Sequence, residues 1–172
     1  MSSAATPLPL HSRTIVIGLG NPILGDDGVG WRVVDEVKSR MTDLEIYQSG
    51  DGLEIDCLST GGLALMERLE GFEKALIIDA ITTGQKPAGS ITCFPLDSLP
   101  NRALGHLSSS HDTTLHNALE VGRNMGARLP SQILIIAIET QQVFEFSDVL
   151  SLDVASAVPD AAALVLQKIN PE

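Results

Sequence analysis

The chain has 172 residues, 44% of them hydrophobic and 19% charged, so it holds enough apolar material for one folded core and too little charge for a disordered protein. Its 22 acidic residues and 11 basic ones give a formal net charge of -11. This charge disfavours nucleic acid as a partner and is compatible with binding of a basic protein or a cation. Because its two cysteines form no CxxC pair, neither a disulfide framework nor a zinc ribbon is predicted.

The first residues have the composition of a tail. Residues 1–12 contain two prolines and no long apolar run, so we expect a flexible N-terminal tail followed by a single α/β/α domain over residues 13–172. The tail lacks the positive start of a secretory signal, and no apolar stretch approaches the ~20 residues that cross a bilayer. We therefore expect a cytoplasmic protein that binds no membrane. We also expect it to be a monomer when free.

Apolar runs alternate with helical patterns along the chain, which is typical of a βα protein. Strands are predicted over residues 14–18, within 45–58, over 75–80, over 89–95 as a candidate antiparallel edge, and over 133–139. Helices are predicted over residues 29–40, from 61 to a stop at 71, over 110–125 and over about 159–170, with a shorter turn capped by Ser151 before the last. This order predicts an α/β fold, a three-layer α/β/α sandwich with a mostly parallel twisted sheet of about five strands.

The first strand leads into a glycine-rich turn that reads Gly18-Leu-Gly-Asn-Pro-Ile-Leu-Gly-Asp-Asp-Gly-Val-Gly30. A dinucleotide fingerprint requires a third glycine where this chain has Ile23, and the Gly-Lys-Ser/Thr of a Walker motif does not occur. Asp26 and Asp27 would also repel a phosphate. Because ligands of such folds bind at the carboxyl edge of the sheet, the turn is a candidate site for a cation instead.

Three residues are candidate metal ligands. Asp26 and Asp27 can each cap the helix predicted at residue 29, and we expect Asp26 to serve the fold and Asp27 to face the cleft. Asp79 lies near the end of a buried strand, where a carboxylate is costly unless it is hydrogen-bonded or bound to a cation. His111 lies at a predicted helix start, where the helix dipole favours a neutral imidazole. Each has an ordinary structural alternative, but together two carboxylates and a histidine form a donor set that suits zinc or nickel.

The chain resembles the [NiFe] hydrogenase maturation proteases, the endopeptidases that remove the C-terminal extension of the hydrogenase large subunit. The resemblance covers nearly all of the chain after Thr14. Its strongest part is the glycine-rich turn, supported by Gly61-Gly-Leu-Ala-Leu-Met66, Ile77-Ile-Asp-Ala-Ile81 and Ser109-Ser-His-Asp112. It implies that Asp27, Asp79 and His111 contact nickel and that Asp27 and Asp79 are the catalytic acids.

Two features depart from the family pattern. Asp27 stands where some members have Glu, which shortens its reach by one methylene group. The run Asp56-Cys-Leu-Ser-Thr-Gly-Gly62 replaces an Asp-Gly-Gly-Thr-like run of many members, so any contact of this loop with substrate and any role of Cys57 stay open.

The resemblance implies a nickel-dependent endopeptidase that acts on the precursor of a [NiFe] hydrogenase large subunit after nickel insertion. The substrate would supply the nickel, and the isolated protein could hold a surrogate divalent cation. Such a mechanism suits a chain without HExxH or Ser-His-Asp spacing. One alternative is a non-hydrolytic nickel-checking chaperone for the same precursor. Another is a small-molecule hydrolase or nucleoside-binding enzyme, which the aromatic content of 3% disfavours.

Overall fold

The computed structural model describes residues 13–43, 52–98, 115–141 and 146–169. Within these ranges the strands are β1 (Thr14–Leu19), β2 (Leu53–Leu58), β3 (Lys74–Ile81), β4 (Ile91–Pro95) and β5 (Gln132–Glu139). The helices are α1 (Val29–Asp43), α2 (Gly62–Leu69), α3 (Leu115–Asn124) and α4 (Leu152–Ile169), and short 3-10 turns cover Gly25–Gly28 and Leu96–Ser98.

The strands form one sheet in the order β2-β1-β3-β5-β4. β1, β2, β3 and β5 run parallel, because a helix crosses back between them, whereas β4 pairs with β5 in the antiparallel sense at one edge. In the register of the central pair, Asp79 of β3 lies opposite Ala137 of β5. The predicted mostly parallel sheet and its antiparallel edge strand are confirmed.

Helices cover both faces of this sheet. On one face, α2 and α3 pack on a buried cluster that includes Ile17, Ile77 and Ile135. On the other, α1 and α4 pack on a cluster built by the alternate strand residues, among them Val16, Leu76 and Ile136. Successive strand residues point to opposite faces, so the apolar runs of the sequence fill both cores. The predicted three-layer sandwich is confirmed.

The last helix begins earlier than predicted. α4 starts at Leu152 and continues through Pro159, which the sequence pattern placed at its start. Proline removes one backbone N–H from a helix, but the buried stripe of α4 runs from Val154 to Val165 on both sides of it. Packing of this stripe on the sheet outweighs the lost hydrogen bond, so the prediction of a helix start at Pro159 was wrong.

Parts of other predictions lie outside the described residues. These are the N-terminal tail at 1–12, the first part of the strand region at 45–51 and the helix start at 110–114. Among the described helices, none has both the length and the apolar character needed to span a bilayer.

Candidate functional site at the carboxyl edge of the sheet

Glycine-to-backbone packing fixes the start of α1 against the sheet. A Cβ on Gly18 would collide with the carbonyl of Gly30, and a Cβ on Gly30 would lie 2.6 Å from the carbonyl oxygen of Ile78. Real Cβ atoms do not approach backbone this closely, so these positions require glycine. The close approach brings the 3-10 turn Gly25–Gly28 into contact with β3. The turn that carries Asp27 thus contacts β3, the strand that contains Asp79, and their membership in one site stays a prediction.

The glycine-rich loop also folds tightly on itself around Asp27. Gly20 has a φ of 124°, and a Cβ there would collide with the carbonyl of Asp27. The backbone N–H of Asn21 donates a hydrogen bond of 2.7 Å to Oδ2 of Asp27. Asp27 is half-buried, and this bond orients its carboxylate at the carboxyl edge of β1.

Asp26 has a different role from its neighbour. Its Oδ1 accepts the backbone N–H of Ser151 at 2.7 Å, and its Oδ2 accepts the Ser151 hydroxyl at 2.8 Å. The carbonyl of Ser151 in turn accepts the N–H of Ala155 in the first turn of α4. Asp26 thus serves the fold as expected, but it does so by anchoring the start of α4 through Ser151 and not by capping α1.

Asp79 is fully buried within β3. Its neighbours two residues away, Ile77 and Ile81, belong to the core on the α2 and α3 side, so strand alternation places the Asp79 side chain on that same face. Burial of a carboxylate is unfavourable without compensating hydrogen bonds or positive charge. The prediction of a buried acid at the end of this strand is confirmed, whereas its role as a ligand stays a prediction.

His111 lies outside the described residues, four positions before α3 begins at Leu115. Because α3 leads into β5, which is parallel to β3, the helix runs opposite to the strands and starts at their carboxyl edge. This is the edge that carries Asp27. Within the described ranges, no three His, Cys, Asp or Glu side chains form a group that could hold a metal ion. The role of His111 stays a prediction.

Glu139 is a buried acid at the carboxyl edge of the sheet that was not among the residues predicted from the sequence. It is buried at the end of β5, where its carboxylate accepts the N–H and hydroxyl of Thr83, both at 2.7 Å, and the N–H of Gly84 at 2.8 Å. These bonds hold the loop that follows β3. Glu139 is an acid in an otherwise apolar strand. The same pattern identified Asp79 as a candidate and could have identified Glu139.

The run 56–62 that departs from the family pattern begins within β2, where Asp56 makes a structural contact. Oδ2 of Asp56 accepts a hydrogen bond of 2.7 Å from Nε of Arg68, and this bond lowers the pKa of Asp56. Burial raises the pKa of the Cys57 thiol to about 11. Cys57 is therefore a protonated thiol at neutral pH, and its position gives no support to a role as a nucleophile.

Comparison with known proteins gives a consistent result. The family model HycI, described as hydrogenase maturation protease, matches residues 31–168. A relative from Methanocaldococcus jannaschii named as a hydrogenase maturation protease is 30% identical over 161 residues, which cover 91% of this chain and 96% of the relative. The hydrogenase expression/formation protein HoxM of Azotobacter vinelandii is 24% identical, with coverage of 89% and 70%.

Solved structures share the fold. The hydrogenase maturating endopeptidase HybD of Escherichia coli superimposes with a TM-score of 0.71 at 21% identity, with 91% of each chain covered. The hydrogenase 2 maturation peptidase of a Thaumarchaeota archaeon gives a TM-score of 0.62 at 27% identity, with 93% of this chain and 99% of the other covered.

Fold and site together define an α/β/α protein with acidic groups at the carboxyl edge of its sheet. The family match begins at residue 31, so it does not depend on the glycine-rich turn, which is the strongest part of the resemblance. The chain belongs to the hydrogenase maturation protease family, whose members are endopeptidases that process a hydrogenase precursor.

Proposed function

We propose that this protein is a nickel-dependent endopeptidase that removes the C-terminal extension from the precursor of a [NiFe] hydrogenase large subunit after nickel insertion. The observation that carries the proposal is the glycine packing that holds the Asp27 turn in contact with β3, the strand that contains Asp79. In a member of this protease family, two acids at the ligand-binding edge of the sheet are the natural candidates for the reaction.

In this proposal the nickel arrives with the substrate. Asp27, Asp79 and His111 offer two carboxylates and an imidazole, ligand types that nickel accepts. Asp27 is pre-oriented by the Asn21 amide, and α3 begins at the same edge four residues after His111. Docking on the precursor's nickel would fix the scissile peptide bond close to the two acids, because the nickel and the bond belong to the same precursor.

The chemical step needs only one general base. One of the two carboxylates accepts a proton from water while the water oxygen attacks the scissile carbonyl carbon. The C–N bond then breaks, and the amine leaving group takes up a proton, so the products are the mature subunit and a free C-terminal peptide.

Isosteric variants test the two acids. We expect Asp27→Asn and Asp79→Asn each to lower the rate of precursor cleavage by roughly 100-fold or more, because the amide is a poor base and a weaker metal ligand. Release of the C-terminal peptide from nickel-loaded precursor is followed by mass spectrometry, and circular dichroism verifies the fold. Asp160→Asn, an exposed acid on α4, is the matched control and should cleave normally. A fully active double variant of Asp27 and Asp79 would disprove the assignment.

The same assay separates the endopeptidase from a nickel-checking chaperone. A chaperone would bind the nickel-loaded precursor through these residues and release no peptide in a purified reaction of the two proteins.

A further inference from the structure

Large apolar side chains are exposed beside the site. They are Ile23, Phe146, Val149 and Leu152, with exposed fractions of 54%, 85%, 68% and 87%, and we call these four residues the apolar rim. Seven large hydrophobic side chains are exposed in the described ranges, and four of them belong to the rim. The other three lie on or directly after α2 and α3, so the rim is a local concentration.

Backbone hydrogen bonds join the rim to the Asp27 turn. The N–H of Ser147 donates to the carbonyl of Ile23 at 3.0 Å, and the N–H of Gly25 donates to the carbonyl of Ser147 at 2.7 Å. The Ser151 bonds to Asp26 hold the far end of the same segment. Ile23 thus lies on the loop that carries Asp27. The other three rim residues lie within residues 146–153, the rim segment, which is attached directly to that loop.

The rim does not contribute to the core. Clustered exposed apolar side chains on a folded protein mark a surface that another molecule covers. A precursor that presents its nickel to Asp27 must also lie over the surface that continues from the Asp27 turn. The rim is thus continuous with the proposed contact between enzyme and substrate.

The charges around the rim indicate what covers it. Asp148 and Asp153 are exposed acids within the rim segment. The guanidinium of Arg32 donates a hydrogen bond of 2.8 Å to the carbonyl of Asp148. A second copy of this chain would bring another formal charge of -11 to an acidic surface, which opposes self-association. An apolar segment with neighbouring Lys or Arg residues is complementary to the rim.

We propose that the apolar rim docks an apolar, Lys- or Arg-flanked segment of the nickel-loaded hydrogenase precursor. This inference rests on the proposed function, because it takes the precursor as the molecule that lies over Asp27. The rim supplies binding energy to the complex, whereas the acids at the carboxyl edge supply the chemistry. Rim variants should therefore change KM and leave kcat nearly unchanged.

The test replaces three rim residues together, as Phe146→Ser, Val149→Ser and Leu152→Ser. All three side chains are largely exposed, so the fold should persist, and Phe146→Ser alone serves as a second, milder variant. For nickel-loaded precursor we expect KM and the Kd for binding to rise by roughly tenfold or more in the triple variant, with kcat within about twofold. Met125→Ser, which removes an apolar side chain that is 80% exposed just after α3, should leave both values unchanged.

A second arm tests the charges. We expect the double variant Asp148→Asn and Asp153→Asn to raise KM several-fold at low ionic strength, with a smaller difference at high ionic strength because salt screens exposed charges. An equal KM for this variant and the unmodified protein at low salt would contradict the Lys- or Arg-flanked partner.

The remaining outcomes separate the inference from the proposed function. Unchanged KM and Kd in the rim variants, with normal cleavage by the unmodified protein, would contradict docking at the rim and leave the proposed function intact. Binding that depends on the rim without any cleavage would support the rim and contradict the proposed function. A dimer of the unmodified protein in sedimentation experiments that the triple variant abolishes, with KM unchanged, would identify the rim as a contact between copies and overturn the inference.

Discussion

Two adjacent carboxylates at the carboxyl edge of β1 have separate roles because successive side chains point in different directions. Asp26 binds the hydroxyl and amide of Ser151, which is distant in sequence, whereas Asp27 is held by Asn21 within its own loop. The expectation that Asp26 serves the fold agrees with these bonds, whereas the role of Asp27 as a ligand stays a prediction. The sequence could not identify Ser151 as the partner, since residues 125 positions apart become neighbours only through the fold.

The Asp26 bonds should contribute measurably to stability. We expect Asp26→Ala to lower the free energy of unfolding by about 1–2 kcal/mol, because it removes two charge-assisted hydrogen bonds at the start of α4. Urea denaturation measures the change, and Asp160→Ala, which removes an exposed acid on α4, is the control. Equal stability of Asp26→Ala and the unmodified protein would show that the Ser151 contacts contribute no net stability.

At the scale of secondary structure, the glycine-rich turn is a packing device between α1 and the strands β1 and β3. Its sequence suggested a phosphate-binding loop, and the adjacent acids argued against one. The structure gives a physical reason for two of the glycines, since Gly18 and Gly30 lie where a Cβ would overlap neighbouring backbone. This contact could not be predicted from the spacing alone, because it depends on how α1 crosses two strands.

Gly30→Ala tests this packing. We expect the free energy of unfolding to fall by about 3 kcal/mol, because the added Cβ would be forced against rigid carbonyl groups of Leu19 and Ile78. Gly126→Ala is the matched control: it has a φ of 86° and no atom within 4 Å of an added Cβ, so only backbone strain of about 1 kcal/mol is expected. Similar losses in both variants, measured by thermal and urea unfolding, would contradict the packing role of Gly30.

The contact between α2 and β2 should be sensitive to acid. Hydrogen bonds from Arg68 lower the pKa of Glu54 and Asp56 below their ordinary values of 4.5 and 3.8. A carboxyl whose pKa is depressed by folding stabilises the fold above its unfolded-state pKa, and the contribution is lost as the pH falls through the folded-state pKa. The three side chains are partly exposed, so solvent screening keeps this contribution small.

We therefore expect Arg68→Gln to lower the free energy of unfolding by about 0.5–1 kcal/mol at pH 7. The difference from the unmodified protein should shrink on acidification, as both carboxyls become protonated. Urea unfolding at neutral and acidic pH measures it, with Arg123→Gln on α3 as the control. A loss that is the same at every pH would instead indicate that Arg68 stabilises the fold by stacking on Phe72, whose ring centroid is 5.6 Å away.

At the scale of the whole molecule, the sequence pattern predicted the architecture well because apolar periodicity and chain order determine it. Uniformly apolar runs indicated strands buried on both faces, and intervening amphipathic segments indicated parallel crossovers. The start of α4 was mispredicted because a local signal, Pro159, was weighted above the buried stripe that continues through it. The Glu139 contacts with Thr83 and Gly84 were not predictable, since they join the end of β5 to the loop after β3, which only the sheet order brings together.

We propose that this protein cleaves a precursor only when the precursor presents nickel to Asp27, Asp79 and His111. The direct measurement is the mass of the precursor large subunit after incubation with the purified protein, with and without nickel loading. We expect the loaded precursor to lose its C-terminal extension as one discrete peptide, and the nickel-free precursor to remain intact. Equal cleavage of both forms, or no cleavage of the loaded form, would contradict the claim.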